Sequence, residues 1–190
     1  EGSSKATLET ASNGKSSTFA NVDTAADDIA LIAFTSGTTG EPKGTVHFHR
    51  DVMAITDCFP RYVGKIRSGD VITGTPPLAF TFGLGGVTLF PMRFGASTRF
   101  FTASGPEALF ETINNHNVTQ VYTAPTAFRT MTNLIGKYDL SSLRQGISAG
   151  ETMPKATWEA FYEATAVRLI DGLGSTEMLH IFISASPEEM

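Results

Sequence analysis

The sequence predicts an α/β fold built on a mostly parallel sheet with helices on both faces, and three observations carry that expectation. Short apolar runs at 29–34, 71–75, 97–101, 118–123, 145–149 and 167–171 have the length and composition of buried strands. Stretches with apolar residues at helical spacing lie between most of them, at 51–63, 106–114, 125–135 and 154–164, and the last three begin on a proline, which suits a first helical turn. With 190 residues and 41% hydrophobic content, the chain can bury a sizeable core, as one domain or a domain and part of another.

Taken in order, residues 1–27 are rich in Ser, Ala, Thr, Asn and Gly and read as a partly ordered linker or arm, with the α/β core expected over 28–190. The run 29–34 reads as a buried strand that feeds directly into a loop ending at Gly44. The helix predicted over 51–63 should be kinked or ended by Pro60, and Cys58, set in that apolar stretch, is expected as a buried thiol. Residues 178–183 follow Ser175 and Thr176, either of which could cap a short helix there. Strand–helix–strand repetition implies a parallel sheet covered on both faces. Such sheets bind ligands beyond the carboxyl ends of their strands, and the loops after 29–34, 145–149 and 167–171 all fall there, so they are expected to converge on one ligand.

The first of these loops is the most informative stretch of the chain: Thr35-Ser36-Gly37-Thr38-Thr39-Gly40-Glu41-Pro42-Lys43-Gly44. Gly37, Gly40 and Gly44 permit positive φ and close approach of the backbone to a ligand. Amide, hydroxyl and Lys43 ammonium donors then face one small volume, which suits a polyphosphate. The string is not a Walker loop, because Pro42 precedes the lysine and Gly44 follows it.

Composition excludes several alternatives. A formal net charge of −5 with only 14 basic residues, none clustered, argues against nucleic acid as a partner. The single Cys58 excludes an internal disulfide and a cysteine-based zinc site. No apolar run approaches the roughly 20 residues that span a bilayer, and residues 1–15 lack a signal-peptide core, so a cytosolic protein without a membrane partner is expected. His47 and His49 stand two apart and would share a strand face, but no third ligand lies nearby, so His49 or Asp51 reads more simply as a helix cap.

The loop 35–44 resembles the phosphate loop of the adenylate-forming enzymes, which include acyl-CoA and aryl-CoA synthetases, luciferases and peptide-synthetase adenylation domains. Ser148-Ala149-Gly150-Glu151 resembles that superfamily's adenine-edge loop, and Asp171-Gly172-Leu173-Gly174-Ser175-Thr176-Glu177 its second nucleotide motif, in the same order along the chain. The longer strings KGTVHFHRDV, PPLAFTFGLGG and DGLGSTEMLHIF are most similar to benzoate and 2-aminobenzoate CoA ligases.

The resemblance implies part of the large N-terminal domain of such an enzyme, with ATP, magnesium, coenzyme A and a small carboxylic acid as cofactors and substrates. Lys43 with Thr35, Ser36, Gly37, Thr38, Thr39 and Gly40 would hold the β and γ phosphates. Thr176 would contact the α-phosphate, and Glu177 would be the magnesium ligand; Lys43, Thr176 and Glu177 are the residues assigned to catalysis. Adenine would lie between Gly150-Glu151 and the segment Asp171, Gly172, Leu173, Gly174, Ser175, where Leu173 replaces the tyrosine usual in the family. Phe80, Thr81, Phe82, Gly83, Gly174, His180 and Ile181 would line the acid pocket, with Phe80 standing where many relatives carry histidine. Read alone, the two phenylalanines could be plain core, and His180 suits pocket lining better than proton transfer. The family's later ribose-binding aspartate, hinge and lysine-bearing C-terminal domain have no counterpart here, so a central piece, weakly active or inactive alone, is expected. A fatty or other acyl-CoA synthetase and a catalytically silent nucleotide-binding module remain as alternatives.

Overall fold

The computed structural model describes residues 8–35, 40–102 and 105–185. After a short helix, α1 (Leu8–Ser12), the chain is exposed up to residue 29. It then forms two sheets. The first is an antiparallel hairpin of β1 (Ile29–Thr35) and β2 (Lys43–Phe48), with Ile32 opposite Val46 and Thr35 opposite Lys43. The second has six strands in the order β4-β3-β5-β6-β7-β8, namely β3 (Val71–Gly74), β4 (Ser97–Thr98), β5 (Gln120–Thr123), β6 (Gln145–Ala149), β7 (Arg168–Gly174) and β8 (Ile181–Ser184). All neighbours from β4 to β7 are parallel, and β8 closes one edge antiparallel.

Helices cover both faces, as the alternating pattern implies. On one face α6 (Pro106–His116), α7 (Pro125–Thr132) and α8 (Lys155–Thr165) bury Leu109, Ile113, Phe128, Met131 and Phe161 against Val121 and Leu169. Phe128 and Phe161 meet edge to face with ring centroids 5.3 Å apart, a favoured aromatic geometry. On the other face, α2 (His49–Asp57), α3 (Phe59–Tyr62), α4 (Thr81–Leu84), a π-type turn (Gly85–Leu89) and α5 (Phe90–Phe94) surround Phe59, Val87, Phe90, Tyr122, Ile147 and Ile170. Among the described residues no helix is long and apolar enough to cross a membrane.

Several local expectations are corrected. The run 29–34 is not a buried strand of the main sheet: Ile29, Ile32 and Phe34 are exposed, because a two-stranded hairpin covers one face only. Its partner β2 begins inside the expected loop, at Lys43 and Gly44, and runs on to Phe48. The break at Pro60 occurs as expected, since its ring cannot follow a continuous helix past the Thr56 carbonyl; α2 ends at Asp57 and α3 restarts at Phe59. That break turns Cys58 outward, so the thiol expected to be buried is exposed. Residues 178–183 form no helix: Leu179 takes φ +62 and turns the chain into β8, whose Ile181 and Ile183 pair with Gly174 and Leu173. Their β-branched side chains favour the pleated surface.

At the amino ends of the strands, Asp70 is buried and accepts a two-pronged contact from Arg144, with Nε at 3.0 Å and Nη2 at 2.5 Å, together with the Thr119 hydroxyl at 2.8 Å. This ties the starts of β3, β5 and β6 together and leaves the opposite ends free for ligand loops.

Candidate nucleotide and acid site

Two adjoining cavities open beyond the carboxyl ends of β6 and β7 and share Gly150 and Gly174. The first, about 260 Å³, is walled by Gly150, Glu151 and Thr152 on one side and by residues 171–174 on the other. Gly150 has φ +94, a left-handed conformation that favours glycine, and no atom would meet a Cβ there. Ligand can therefore lie against bare backbone. Asp171 sits at the base of this wall, its Oδ2 accepting from the Met153 N–H at 3.2 Å while the buried Oδ1 finds no partner among the described residues. Leu173 is 59% exposed and offers an aliphatic face to the cavity.

The second cavity, about 220 Å³, is lined by Phe80, Thr81, Phe82, Ser175, Thr176, His180 and Ile181. Gly83 does not line it. A Cβ there would stand 2.3 Å from the Pro77 carbonyl oxygen, so Gly83 is the residue that lets α4 tuck under the Pro76-Pro77 turn. His180 is buried as a core residue would be, but neither ring nitrogen has a hydrogen-bond partner among the described residues. Burial lowers its pKa to about 3, and the nearby Phe82 backbone offsets little of this because it lies outside hydrogen-bonding geometry. The imidazole is neutral at pH 7.

The residues expected to hold phosphate are described only in part. Thr35 ends β1 and the exposed Lys43 opens β2 opposite it. Gly40 has φ +127, as the loop reading required. Gly44 does not take positive φ; it lies within β2, where a Cβ would come within 3.0 Å of the Ile32 side chain. Ser36, Gly37, Thr38 and Thr39 lie outside the described residues. Neither cavity is lined by Lys43.

The hairpin is nevertheless bound to the site, because the buried His47 donates from Nε2 to the Thr176 carbonyl at 2.9 Å. That carbonyl also accepts from the Leu179 N–H at 3.2 Å. His47 stands four steps along the extended strand from Lys43, roughly 13 Å. His47 and His49 do not share a strand face: His49 begins α2, and Asp51 accepts from the Phe48 N–H at 2.8 Å as the helix cap.

Glu177 is exposed in the turn between β7 and β8, and the Ser175 hydroxyl accepts from the Met178 N–H at 3.2 Å, a local turn bond in place of a helix cap. Among the described residues no three acidic, histidine or cysteine groups stand close enough to hold a metal. A lone carboxylate fits a magnesium ion carried in on nucleotide phosphates, which keeps most of its waters, better than a resident ion.

A cavity of about 590 Å³, larger than either, lies elsewhere, over Thr75 and Thr123 at the ends of β3 and β5. It contains none of the motif residues and none of the unpartnered polar atoms, so the smaller pair is the better candidate. Sequence reasoning missed Thr152, which follows the quoted Ser148-Ala149-Gly150-Glu151 motif, and the His47 tie. The alternation Thr45, His47 along β2 was the available signal for the tie.

Residues 2–190 match the family model described as AMP-binding enzyme, and the chain belongs to that family. The resemblance drawn from the three motifs is borne out. Among its relatives is a benzoate–CoA ligase of Thauera aromatica, 36% identical over 172 residues that make up 87% of this chain and 32% of that protein. An acetyl-coenzyme A synthetase of Coprinopsis cinerea is 30% identical over 174 residues, 86% of this chain and 26% of the relative. Of solved structures, an anthranilate CoA ligase in complex with anthranoyl-AMP aligns with a TM-score of 0.84 at 39% identity, covering 90% of this chain and 34% of that one. The chain spans about a third of the length of the curated benzoate–CoA ligases it matches.

Proposed function

We propose that the whole protein activates a benzoate-like aromatic acid with ATP and passes the acyl group to the thiol of coenzyme A. The observation that carries this is the adjacency of two unlike cavities across Gly150 and Gly174, one bounded by bare backbone, the other walled by aromatic rings. Adenine in the first would rest on Leu173 and against the bare backbone of Gly150. The acid ring in the second would lie among Phe80, Phe82 and Ile181, its carboxylate directed at the junction by Thr176.

In the first step a carboxylate oxygen bonds to the α-phosphorus while the bond to the bridging oxygen breaks and pyrophosphate leaves. In the second, a thiolate sulfur bonds to the acyl carbon and AMP leaves. Charge builds up on the phosphoryl oxygens in the first step, and fixed donors stabilise it without reorganising. Lys43, the hydroxyls of Thr35, Ser36, Thr38 and Thr39, and the backbone at Gly37 and Gly40 would act on the β and γ phosphates, with Thr176 on the α-phosphate. Magnesium held by Glu177 would supply further charge neutralisation. His180, neutral at pH 7, would serve as pocket wall and not as a proton carrier.

A second reading, activation of a small aliphatic or fatty acid, is favoured by the acetyl-coenzyme A synthetase relative. Pyrophosphate exchange into ATP by the whole protein, run with benzoate, 2-aminobenzoate, acetate and octanoate, separates the two: the aromatic acids are expected to give the highest kcat/KM. Calorimetry with ATP and magnesium is the companion test, and Lys43→Ala and Glu177→Ala should each weaken binding by about tenfold, equivalent to one charge-assisted contact. Unchanged binding in both variants, with no exchange for any acid, would instead mark a silent nucleotide-binding module.

A further inference from the structure

The π-type turn Gly85–Leu89 joins α4 to α5, and turns of this geometry recur at functional sites. Here it sets two glycines against two buried rings. A Cβ on Gly85 would stand 2.5 Å from His180 Cδ2, and one on Gly86 would stand 2.5 Å from Tyr122 Cδ1. Neither contact distance is tolerable between carbon atoms, so a side chain at either position must displace the ring it faces.

For His180 the direction of that displacement follows from its surroundings. Phe59, Phe82, Phe90 and Tyr122 enclose it at centroid distances of 5.6, 5.3, 4.5 and 6.3 Å. The free volume beside the ring is the 220 Å³ cavity it lines. Neither ring nitrogen is held by a hydrogen bond among the described residues, so steric contact alone sets where the ring stands. Close packing makes such a position sensitive to a single methyl group.

We propose that Gly85 is a specificity-determining residue: by presenting no side chain it lets the His180 ring recede from the cavity, which leaves depth for an aromatic acid. This rests on the reading of that cavity as the acid's site. Gly85 touches no substrate and acts through His180, so it is a positioning residue. A methyl at position 85 drives the ring into the cavity and shortens it, while the adjoining cavity at Glu151 and Leu173 is left as it was.

The test is pyrophosphate exchange and ATP calorimetry on the whole protein for the wild type, Gly85→Ala, His180→Ala and the double variant. Gly85→Ala is expected to lower kcat/KM for benzoate by about 10- to 200-fold, the range for one methylene misfit in an apolar pocket. The loss should fall mainly in KM, grow with a ring substituent, and leave ATP affinity within about twofold. In the His180→Ala background, where the ring is gone, Gly85→Ala should cost no more than about twofold, and should refold if Gly85→Ala alone does not. An equal loss in both backgrounds, a matching fall in ATP affinity, or a double variant that also fails to fold would overturn the assignment. A wild type silent with every acid would instead sink the activity reading and this inference with it, whereas an active wild type with an insensitive Gly85→Ala sinks this inference alone.

Discussion

Replacing Arg144 with methionine removes the cation that faces Asp70 at the amino ends of β3, β5 and β6. Asp70 is 5% exposed, and its carboxylate accepts from Arg144 Nε at 3.0 Å, Arg144 Nη2 at 2.5 Å, Thr119 Oγ1 at 2.8 Å and the Arg67 N–H at 2.7 Å. Burial alone would raise its pKa; the Arg144, Arg67 and Thr119 donors outweigh that and hold the carboxyl below the usual range. Methionine restores much of the arginine stem but leaves the charge with only the Thr119 and Arg67 donors. Removing one partner of a buried pair costs about 3–5 kcal/mol. Arg144 is itself 29% exposed, so water partly replaces it, and the lower end, about 3 kcal/mol, is expected.

For a chain of this size that is about 6–12 °C in Tm, to be read by circular dichroism at pH 7 and pH 3. The folded-state pKa of Asp70 lies below the unfolded value of about 3.9. Its contribution is therefore complete above that pH and lost as pH falls through the folded value. In the variant, the unpaired buried carboxyl protonates more readily, so the gap between the two proteins should narrow below about pH 4. A loss under about 2 °C at pH 7, or one of undiminished size at pH 3, refutes the reasoning.

Two other outcomes follow from the site. His47→Ala removes the bond from β2 to the Thr176 carbonyl, worth about 0.5–1.5 kcal/mol; ATP affinity should fall by about 3- to 10-fold in calorimetry, and an unchanged affinity would mean that the hairpin is held by other contacts. For His180, burial holds the folded pKa at about 3, against about 6.5 unfolded. As pH falls below about 6.5 the unfolded chain takes up a proton that the folded one refuses, so stability declines by up to about 1.4 kcal/mol per unit. His180→Phe should flatten that slope in Tm measured from pH 7 to pH 4, and equal slopes in the two proteins would count against it.

The strands expected at 71–75, 118–123, 145–149 and 167–171 stand within a few residues of those positions, because each is a short run that ends at or just before a glycine, proline or threonine. The loops after 145–149 and 167–171 stand together beyond the sheet, as the motif order implied. The helices behind their prolines also form, since proline at a first turn sacrifices no hydrogen bond. Less legible was the stretch 81–94, where Phe-Gly-Leu-Gly-Gly has poor intrinsic helix propensity. Its turns persist because Gly85 and Gly86 pack directly on His180 and Tyr122, a contact that no local pattern records.

Residue order alone determined the alternating architecture, the position of the glycine-rich loops and the family, because periodicity and motif spacing are local properties that any conformation of the chain carries. Only tertiary structure decided that β1 leaves the main sheet to pair with β2, that Cys58 faces solvent, that Gly83 supports a turn and lines no cavity, and that the His180 ring has no hydrogen-bonded anchor. Each of these depends on which distant surface a residue meets, and the free energy of such contacts belongs to the pair and not to either segment.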